Sequence, residues 1–333
     1  MVRTNNAIVI ARAPLRISLG GGGTDLRSYY EKRGGFWISG AIDYYIYVTV
    51  HETFDDDLII KYSKMEKVQR VGEIQNDIIR ETLKHHGVVK GLEVTSIANI
   101  PSGTGLGSSG TFGVALSKAL YALKREQAST LELAEEATRI QADVLKRPIG
   151  KQDQYIAAYG GITAFEVDKK GNVKVIPLKI DRETMHLLED NLLMFFTGYS
   201  RSADTILKEQ HDKSKKSDTD MLANLDFMKQ LGYESKEALE SGNLKRFGEL
   251  MHVHWERKKE RSGGMTNPTI DKWYNAARKS GAIGGKLIGA GGGGFLMFYT
   301  EQPDKLRKAM MNEGLEEVRF KFDYDGAKVI VNE

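Results

Sequence analysis

The stretch Asn99-Ile100-Pro101-Ser102-Gly103-Thr104-Gly105-Leu106-Gly107-Ser108-Ser109-Gly110 decides how the rest of the chain is interpreted. Residues 92–100 alternate loosely between apolar and polar positions, which predicts a half-buried strand before the loop. After the loop, apolar residues recur every three or four positions up to Leu123, which predicts an amphipathic helix. A glycine-rich loop that opens a helix presents free backbone N–H groups to an anion. The stretch therefore predicts a site for a nucleotide triphosphate.

The composition sets the broad class of the protein. The chain has 333 residues, which is enough for two compact domains, and 41% of them are hydrophobic and 28% charged. The net charge of +3 is too small to indicate a nucleic-acid partner. Cysteine is absent, which excludes disulfides, thiolate metal sites and cysteine nucleophiles. No apolar run of signal-peptide or membrane-spanning length is present, and we expect a cytoplasmic protein without a membrane partner.

The element pattern predicts an α+β protein of two domains with a cleft between them. The first domain spans residues 1–186 and the second, more helical domain spans residues 187–333. In the first we expect strands over residues 7–19, 36–42 and 44–51, and a capped helix from Ser129 that ends at Arg147 before a proline. In the second we expect helices over residues 202–214, 218–231 and 244–259, and a strand over residues 317–322.

Part of the same stretch also matches a dinucleotide-binding motif. The segment Gly105-Leu106-Gly107-Ser108-Ser109-Gly110 matches the G-x-G-x-x-G fingerprint letter for letter. That fingerprint requires a second strand after the helix, ending in an acidic residue that binds the ribose. Here a second helix begins at Ser129 instead, and no Gly-Lys-Ser/Thr of a Walker A loop is present. The sequence context therefore argues against a dehydrogenase.

The loop instead resembles the P-x-x-x-G-L-G-S-S phosphate loop of the GHMP kinases. Two further motifs lie in the order typical of that family. Residues 13–25, from Ala13-Pro14-Leu15-Arg16 to Thr24-Asp25, resemble its N-terminal substrate motif, and residues 286–295 resemble its third glycine-rich motif. The resemblance implies an N-terminal domain like domain 2 of ribosomal protein S5 and a ferredoxin-like C-terminal domain. It also implies ATP and Mg²⁺ as cofactors.

Three segments are similar to the heptose 7-phosphate kinase branch. They are Gly21-Gly22-Gly23-Thr24-Asp25, Gly150-Lys151-Gln152-Asp153-Gln154-Tyr155 and Thr266-Asn267-Pro268. Galactokinases carry Gly-Glu-His-Thr-Asp at the first of these. The resemblance implies phosphorylation of D-glycero-D-manno-heptose 7-phosphate at its anomeric hydroxyl to give the 1,7-bisphosphate, for nucleotide-activated heptose. Alternatives are a galactokinase-like or mevalonate kinase-like enzyme, a decarboxylase of the same family, and a non-catalytic sensor.

The resemblance also implies the residues of the donor site. Asp153 matches the catalytic aspartate and Arg16 the arginine that pairs with it. Ser109 matches the magnesium ligand, and Gln141 stands where the family often has a glutamate. The residues that match the ATP-binding loop are Pro101, Gly103, Thr104, Gly105, Leu106, Gly107, Ser108 and Ser109.

The acceptor site is expected around Asp153 and the first glycine loop, which consists of residues 20–23. The residues expected to bind a sugar phosphate are Arg16, Gly22, Gly23, Thr24, Asp25, Lys151, Asp153, Arg201 and Gly292. Several have ordinary structural alternatives: Asp153 and Asp25 as helix N-caps, Arg16 in a structural ion pair, and Lys151 as a solvated loop residue. The run Arg257-Lys258-Lys259-Glu260-Arg261 is a further candidate, which we interpret as a solvated helix face. The sequence leaves monomer and homodimer open.

Overall fold

The computed structural model of the protein describes residues 7–198, 208, 212–214, 219–261, 264–289 and 291–333. The strands in these ranges are β1 (Ile8–Gly20), β2 (Gly35–Glu52), β3 (Leu58–Lys61), β4 (Met65–Val68), β5 (Leu92–Ala98), β6 (Ile162–Val167), β7 (Val173–Pro177), β8 (Leu192–Phe196), β9 (Ala282–Leu287), β10 (Phe295–Thr300), β11 (Glu316–Glu317) and β12 (Lys328–Asn332). The helices are α1 (Arg27–Arg33), α2 (Asp77–His85), α3 (Ser108–Leu123), α4 (Thr130–Arg139), α5 (Gln152–Tyr159), α6 (Arg182–Asn191), α7 (Thr219–Glu240), α8 (Leu244–Lys259), α9 (Pro268–Lys279) and α10 (Pro303–Asn312).

The strands of the described chain form two sheets. The larger has the order β12-β1-β2-β5-β3-β4, and β6 and β7 extend it from the first half of β2. All its pairings are antiparallel except that between β3 and β5. The smaller sheet has the order β11-β8-β10-β9 and is antiparallel. Helices and sheets together give the α+β class that the sequence predicts.

Strand β2 differs from the sequence prediction. Two strands were expected over residues 36–42 and 44–51, but the structure has one continuous strand of 18 residues. Opposite it, Pro14 pairs with Tyr45 while the next residue, Leu15, pairs with Ile42, so Asp43 and Tyr44 form a bulge. A bulge bends a strand without ending it. The bend lets β2 pair with β6 along its first half and with β5 along its second.

The predicted helix starts are largely confirmed, and the helix ends are less so. Ser129 caps α4 by accepting a hydrogen bond from the N–H of Glu132, and Asn267 caps α9. The helix from Ser129 is α-helical only to Arg139 and continues as a π-helical turn over Ile140–Val144, whereas the sequence predicted a helix to Arg147. Helix α7 extends to Glu240, beyond the predicted end at residue 231. The helix predicted over residues 202–214 lies mostly outside the described residues.

The last strand of the chain belongs to the larger sheet. The strand expected over residues 317–322 is reduced to β11, and Phe322 forms an isolated bridge to Ile42. Strand β12 then pairs with β1 at the opposite edge from β4. The division of the chain at residue 187 stays a prediction. No described helix has the length and apolar character required to cross a membrane.

Candidate active site

A cavity of about 1000 Å³ lies where β1, the loop before α3, the start of α5, the end of α8 and the loop after β9 meet. The three glycine-rich segments singled out in the sequence all reach its wall. From these segments the lining residues are Gly22, Gly23, Asp25, Pro101, Ser102, Gly103, Gly105, Gly107, Ser108, Ser109, Gly289, Gly291 and Gly293. The fold therefore brings together segments that are far apart in sequence.

Arg16 fixes the loop before α3 to strand β1. Its backbone N–H donates to the carbonyl of Leu106 over 3.0 Å. Its side-chain Nη1 donates to the carbonyl of Gly105 over 2.6 Å. The guanidinium is almost completely buried in the cavity wall. One residue thus positions the loop through both its backbone and its side chain.

Asp153 lies against the same guanidinium. Its Oδ1 accepts a hydrogen bond from Nε of Arg16 over 2.7 Å, and about a third of its side chain is exposed, at 32%. The sequence placed Asp153 in a polar loop, but the structure places it in the first turn of α5, which begins at Gln152. The N-cap position is occupied by Lys151, so the alternative role of Asp153 as an N-cap is wrong. Its Oδ2 has no hydrogen-bond partner in the described chain and can accept one from a ligand.

Two glycines of the loop permit these close contacts. Gly107 has φ 81°, and a Cβ atom there would lie 3.1 Å from the Cγ atoms of both Arg16 and Asp153. A Cβ atom on Gly105 would lie 2.8 Å from the carbonyl oxygen of Ile288, at the start of the third glycine loop. A side chain at Gly105 would collide with the neighbouring segment, and one at Gly107 would press on the Arg16–Asp153 pair. The loop therefore packs on the Arg16–Asp153 pair on one side and on the third glycine loop on the other.

Asp25 connects the first glycine loop to helix α5. Its Oδ1 accepts from the N–H of Gly23 over 3.2 Å, and its Oδ2 accepts from the N–H of Gln152 over 3.1 Å. The N-cap position of α1 is Leu26, so Asp25 does not cap the helix that follows it. Burial raises the pKa of Asp25, and the charge of Asp153 adds to this effect. Asp25 thus presents a buried carboxyl group to the cavity.

Three expected acceptor residues lie elsewhere. Thr24 is buried behind the first loop, where its hydroxyl donates to the carbonyl of Phe36 over 2.7 Å. Lys151 directs its ammonium at Glu135 over 2.8 Å and is not among the lining residues. Gly292 donates its N–H to the carbonyl of Met265 and is not among the lining residues either. Arg201 lies outside the described residues.

Two residues of the expected ATP loop have structural contacts instead of a place in the cavity wall. The hydroxyl of Thr104 donates to the carbonyl of Pro101 over 3.0 Å, which closes the turn of the loop. The side chain of Leu106 is fully buried in the core beneath the loop. Neither is among the residues that line the cavity.

The two serines at the start of α3 have different surroundings. The hydroxyl of Ser108 is buried, lies in the cavity wall and has no hydrogen-bond partner in the described chain. The hydroxyl of Ser109 donates to Oε1 of Gln141 over 3.1 Å and accepts from Nη1 of Arg147 over 3.2 Å. Ser108 is thus an unpaired polar group at a helix N-terminus, which suits an anionic ligand.

The sequence interpretation missed three buried cations in the cavity wall. Lys258, Arg261 and Lys286 all line it and are each less than a tenth exposed, at 7%, 3% and 2%. The expectation that the 257–261 run is a solvated helix face is therefore wrong for Lys258 and Arg261, although Arg257 is exposed and pairs with Glu260. The signal that could have identified them is helical spacing. Lys258 and Arg261 lie four and seven positions after residue 254, a buried histidine, which is the spacing of one face of a helix.

Another part of the cavity wall is less polar. It is formed by side chains from the middle of β2, from the region between β3 and α2, and from β5 and the residues after it. The lining residues there include Ile46, Tyr62, Ile78, Ala98 and Ile100. An apolar slot next to a glycine-rich anion loop can hold a flat ring attached to a phosphate chain.

Known proteins are similar to this chain in sequence and architecture. A family model described as the GHMP kinases N terminal domain matches residues 73–161, and one described as the GHMP kinases C terminal matches residues 235–317. The D-glycero-alpha-D-manno-heptose 7-phosphate kinase of Campylobacter jejuni is 30% identical over 95% of this chain and 97% of its own length. The mevalonate kinase of Pyrococcus abyssi is 26% identical over 90% of each chain.

A solved structure extends the similarity to the whole fold. The D-glycero-D-manno-heptose 1-phosphate kinase from Bacteriodes thetaiotaomicron superposes with a TM-score of 0.79 and 26% identity, over 97% of this chain and 99% of that one. Both family models fall on segments that contribute to the cavity, and the full-length relative spans all three glycine-rich loops. The chain therefore belongs to the GHMP kinase family and is a phosphotransferase.

Proposed function

We propose that the protein is an ATP-dependent sugar-phosphate kinase that phosphorylates the anomeric hydroxyl of D-glycero-D-manno-heptose 7-phosphate. The product is the 1,7-bisphosphate. The observation that carries the proposal is the contact of Arg16 with both Asp153 and Gly105, because it places a carboxylate beside the loop expected to hold the donor phosphates. The names of the relatives from Campylobacter jejuni and Bacteriodes thetaiotaomicron support a heptose phosphate as acceptor.

The donor nucleotide occupies the second glycine loop, residues 103–110, which is called the donor loop below, and the apolar part of the cavity. The phosphates lie at the N-terminus of α3, where free N–H groups, the partial positive charge of the helix and the unpaired hydroxyl of Ser108 favour an anion. The adenine ring lies against the apolar wall near Ile78 and Ile100. In this arrangement the terminal phosphate points toward Asp153, because the loop approaches that residue closely. A Cβ atom on Gly107 would lie 3.1 Å from the Cγ atom of Asp153.

Asp153 accepts the proton of the attacking hydroxyl. The acceptor oxygen forms a bond to the γ-phosphorus, the bond from that phosphorus to the bridging oxygen breaks, and ADP leaves. The hydroxyl proton moves to Oδ2 of Asp153, while Oδ1 stays hydrogen-bonded to Arg16. The Arg16 guanidinium also offsets negative charge that spreads over the transferring group. Asp25 accepts hydrogen bonds from hydroxyls of the sugar beside Gly22 and Gly23.

The hydroxyl of Ser109, in the cavity wall beside the second glycine loop, would hold Mg²⁺ together with phosphate oxygens and water. Oε1 of Gln141 lies 3.1 Å from that hydroxyl, but Gln141 is buried and is not among the lining residues. When bound, the ion supplies positive charge that neutralises the triphosphate. The hydroxyl of Ser108, which has no partner in the described chain, remains for a phosphate oxygen.

Product formation from a panel of acceptors tests the proposal. The purified protein is incubated with Mg-ATP and heptose 7-phosphate, heptose 1-phosphate, unphosphorylated heptose, galactose or mevalonate, and ADP release is measured. We expect the highest kcat/KM with heptose 7-phosphate, and phosphorus NMR of the product should show a new anomeric phosphate. A preference for galactose or mevalonate would overturn the acceptor, and release of CO₂ from an acidic substrate would indicate a decarboxylase.

A further inference from the structure

Within the described residues, three cations in the cavity wall form no salt bridge. Lys258 at the end of α8, Arg261 just after it and Lys286 in β9 are all buried, and no carboxylate oxygen of the described chain lies within 4.0 Å of their nitrogen atoms. Burying an unpaired charge is unfavourable, and a buried basic group is therefore paired with an acid, used to bind one, or shifted toward its neutral form. A bound anion would supply the direct acidic partner that the described part of the chain does not place within 4.0 Å of these nitrogen atoms.

The three side chains are held by neutral groups that leave donors unused. The ammonium of Lys258 donates to the carbonyls of Leu287 over 2.9 Å and Gly289 over 2.5 Å. The ammonium of Lys286 donates to the carbonyl of Leu19 over 3.2 Å. Since an ammonium has three N–H donors, each lysine retains at least one.

Arg261 has the clearest unsatisfied group. Its Nε donates to Asn224 over 2.9 Å and its Nη1 donates to the carbonyl of Gly22 over 3.1 Å. Its Nη2 is buried without a partner in the described chain. The contact of Nη1 with the carbonyl of Gly22 places the guanidinium that carries this free donor beside the first glycine loop.

In this part of the cavity wall, positively charged side chains outnumber negatively charged ones. Arg16 is the fourth cation in this part of the wall, but its Nε is already paired with Asp153. Burial and the neighbouring cations, Lys286 first among them, lower the pKa of Lys258, and burial with Arg261 and Arg16 lowers the pKa of Lys286 to about 7. A bound phosphate monoester, which carries a charge of about −1.5 to −2 at neutral pH, would reverse this unfavourable electrostatic environment.

We propose that Lys258, Arg261 and Lys286 form a receptor for the phosphate group that the acceptor sugar already carries. This inference rests on the proposed function, in which the acceptor is a sugar phosphate. The donor phosphates have their own loop and helix N-terminus, whereas Arg261 contacts the first glycine loop, on the acceptor side. The receptor makes the enzyme select phosphorylated sugars over neutral ones.

The rival use of the same three cations is contact with the transferring phosphoryl group, because Arg16 lies close enough to affect Lys258 and Lys286 electrostatically. The two uses predict different kinetics. A receptor for the acceptor phosphate affects only reactions of phosphorylated acceptors. Contacts to the transferring group affect every acceptor and the apparent affinity for ATP.

Two matched pairs of variants in one segment test the receptor. Arg261→Gln is compared with Arg257→Gln, and Lys258→Met with Lys259→Met, since Arg257 and Lys259 are paired with glutamates outside the cavity. We expect the two receptor variants to raise KM for heptose 7-phosphate by ~10-fold or more, as loss of charge-assisted hydrogen bonds does. KM for ATP and kcat/KM for unphosphorylated heptose should change by less than ~3-fold. An equal loss with both acceptors, or a matching rise in KM for ATP, would overturn the receptor.

A binding measurement separates this inference from the proposed function. Calorimetry with inorganic phosphate is carried out at saturating Mg²⁺ and a non-hydrolysable ATP analogue, so that both the donor loop and the γ-phosphate position are filled, on wild type and the same four variants. Binding that is lost only in Arg261→Gln and Lys258→Met supports the receptor even if heptose 7-phosphate is not turned over, in which case the proposed substrate fails alone. Turnover of heptose 7-phosphate that all four variants retain unchanged leaves the proposed function in place and overturns the receptor.

Discussion

The guanidinium of Arg16 donates to Oδ1 of Asp153 over 2.7 Å and to the carbonyl of Gly105 over 2.6 Å. A planar guanidinium holds two acceptors in a fixed relative position, which a flexible ammonium does not. The orientation of the Asp153 carboxylate is therefore coupled to the position of the donor loop. Chemistry at this site depends on that coupling, because the attacking oxygen has to meet both the carboxylate and the terminal phosphate.

Asp153→Asn should lower kcat by at least ~10²-fold, because an amide oxygen cannot take the hydroxyl proton. The variant amide can still accept the hydrogen bond from Arg16, so KM for ATP should change by less than ~3-fold. A coupled assay for ADP measures both constants. Asp226→Asn is the control, since Asp226 is similarly exposed and pairs with Arg33 outside the cavity. Full activity of Asp153→Asn would rule out its role as the proton acceptor.

Arg16→Lys keeps the charge but removes the fork that binds Asp153 and Gly105 together. We expect kcat to fall by ~10- to 10²-fold, because the displaced carboxylate is misaligned with the acceptor hydroxyl. The affinity for the substrates should change less. Arg12→Lys changes an arginine on the same strand that contacts the ring of Tyr45 and Asp325, and it should retain activity. Steady-state kinetics compare kcat of the two variants with that of the wild type. Equal effects of the two substitutions would contradict a special role for Arg16.

Gly107→Ala should disturb both stability and rate. Alanine at φ 81° costs on the order of 1–2 kcal/mol, and its Cβ would press on the side chains of Arg16 and Asp153. We expect a lower free energy of unfolding in urea together with a fall in kcat of ~10-fold or more. Gly72→Ala, where a Cβ atom meets nothing within 4 Å, should change neither measurement.

Lys286→Met should make the unliganded protein more stable at pH 7 to 8. Burial, then Arg261 and Arg16, lowers the pKa of Lys286 to about 7 in the folded protein, whereas an unfolded lysine has a pKa near 10.4. Between these values the unfolded chain binds a proton that the folded chain lacks, so stability rises with pH across this window. Urea unfolding at pH 7 and pH 9 should show a shallower rise in the variant. Lys259→Met is the control and should keep the wild-type slope.

Glu136→Gln should remove part of the acid sensitivity of the fold. Burial acts to raise the pKa of Glu136, but hydrogen bonds that include those from His86 and Tyr121 outweigh it and lower the pKa to about 2. A carboxylate with a depressed pKa adds stability above its unfolded value, near 4.3, and this contribution is lost as pH falls toward 2. Thermal unfolding should show a lower Tm for the variant at pH 7 and nearly equal values for both proteins at pH 2.

Local sequence signals predicted the loops and helices that form the site. They predicted the contacts between these elements less well. The donor loop, the cap at Ser129 and helix α8 follow from glycine placement, capping residues and apolar periodicity, all of which act over a few residues. The bulge at Asp43 and Tyr44 did not follow, because it depends on the register of β1 opposite. Pairing partners that are distant in sequence leave no local pattern.

The acceptor side was the hardest to predict for the same reason. Lys258 and Arg261 belong to a run of charges that is usually solvated, and only the packing of α8 on the rest of the fold buries them. Lys151 and Thr24, in contrast, belong to well-placed motifs, yet Glu135 and Phe36 bind their side chains. A motif identifies which segment reaches a site, and tertiary packing decides which of its side chains face the ligand.

The pairing of β12 with β1 has a consequence for synthesis on the ribosome. Residues 9–12 are translated long before the strand that covers their edge, which consists of residues 328–332. Until those residues emerge, β1 carries an unpaired edge that can bind another nascent chain or a chaperone. A translational pause within the second half of the chain would prolong that exposure, and the larger sheet reaches its final strand order only after both halves have been made.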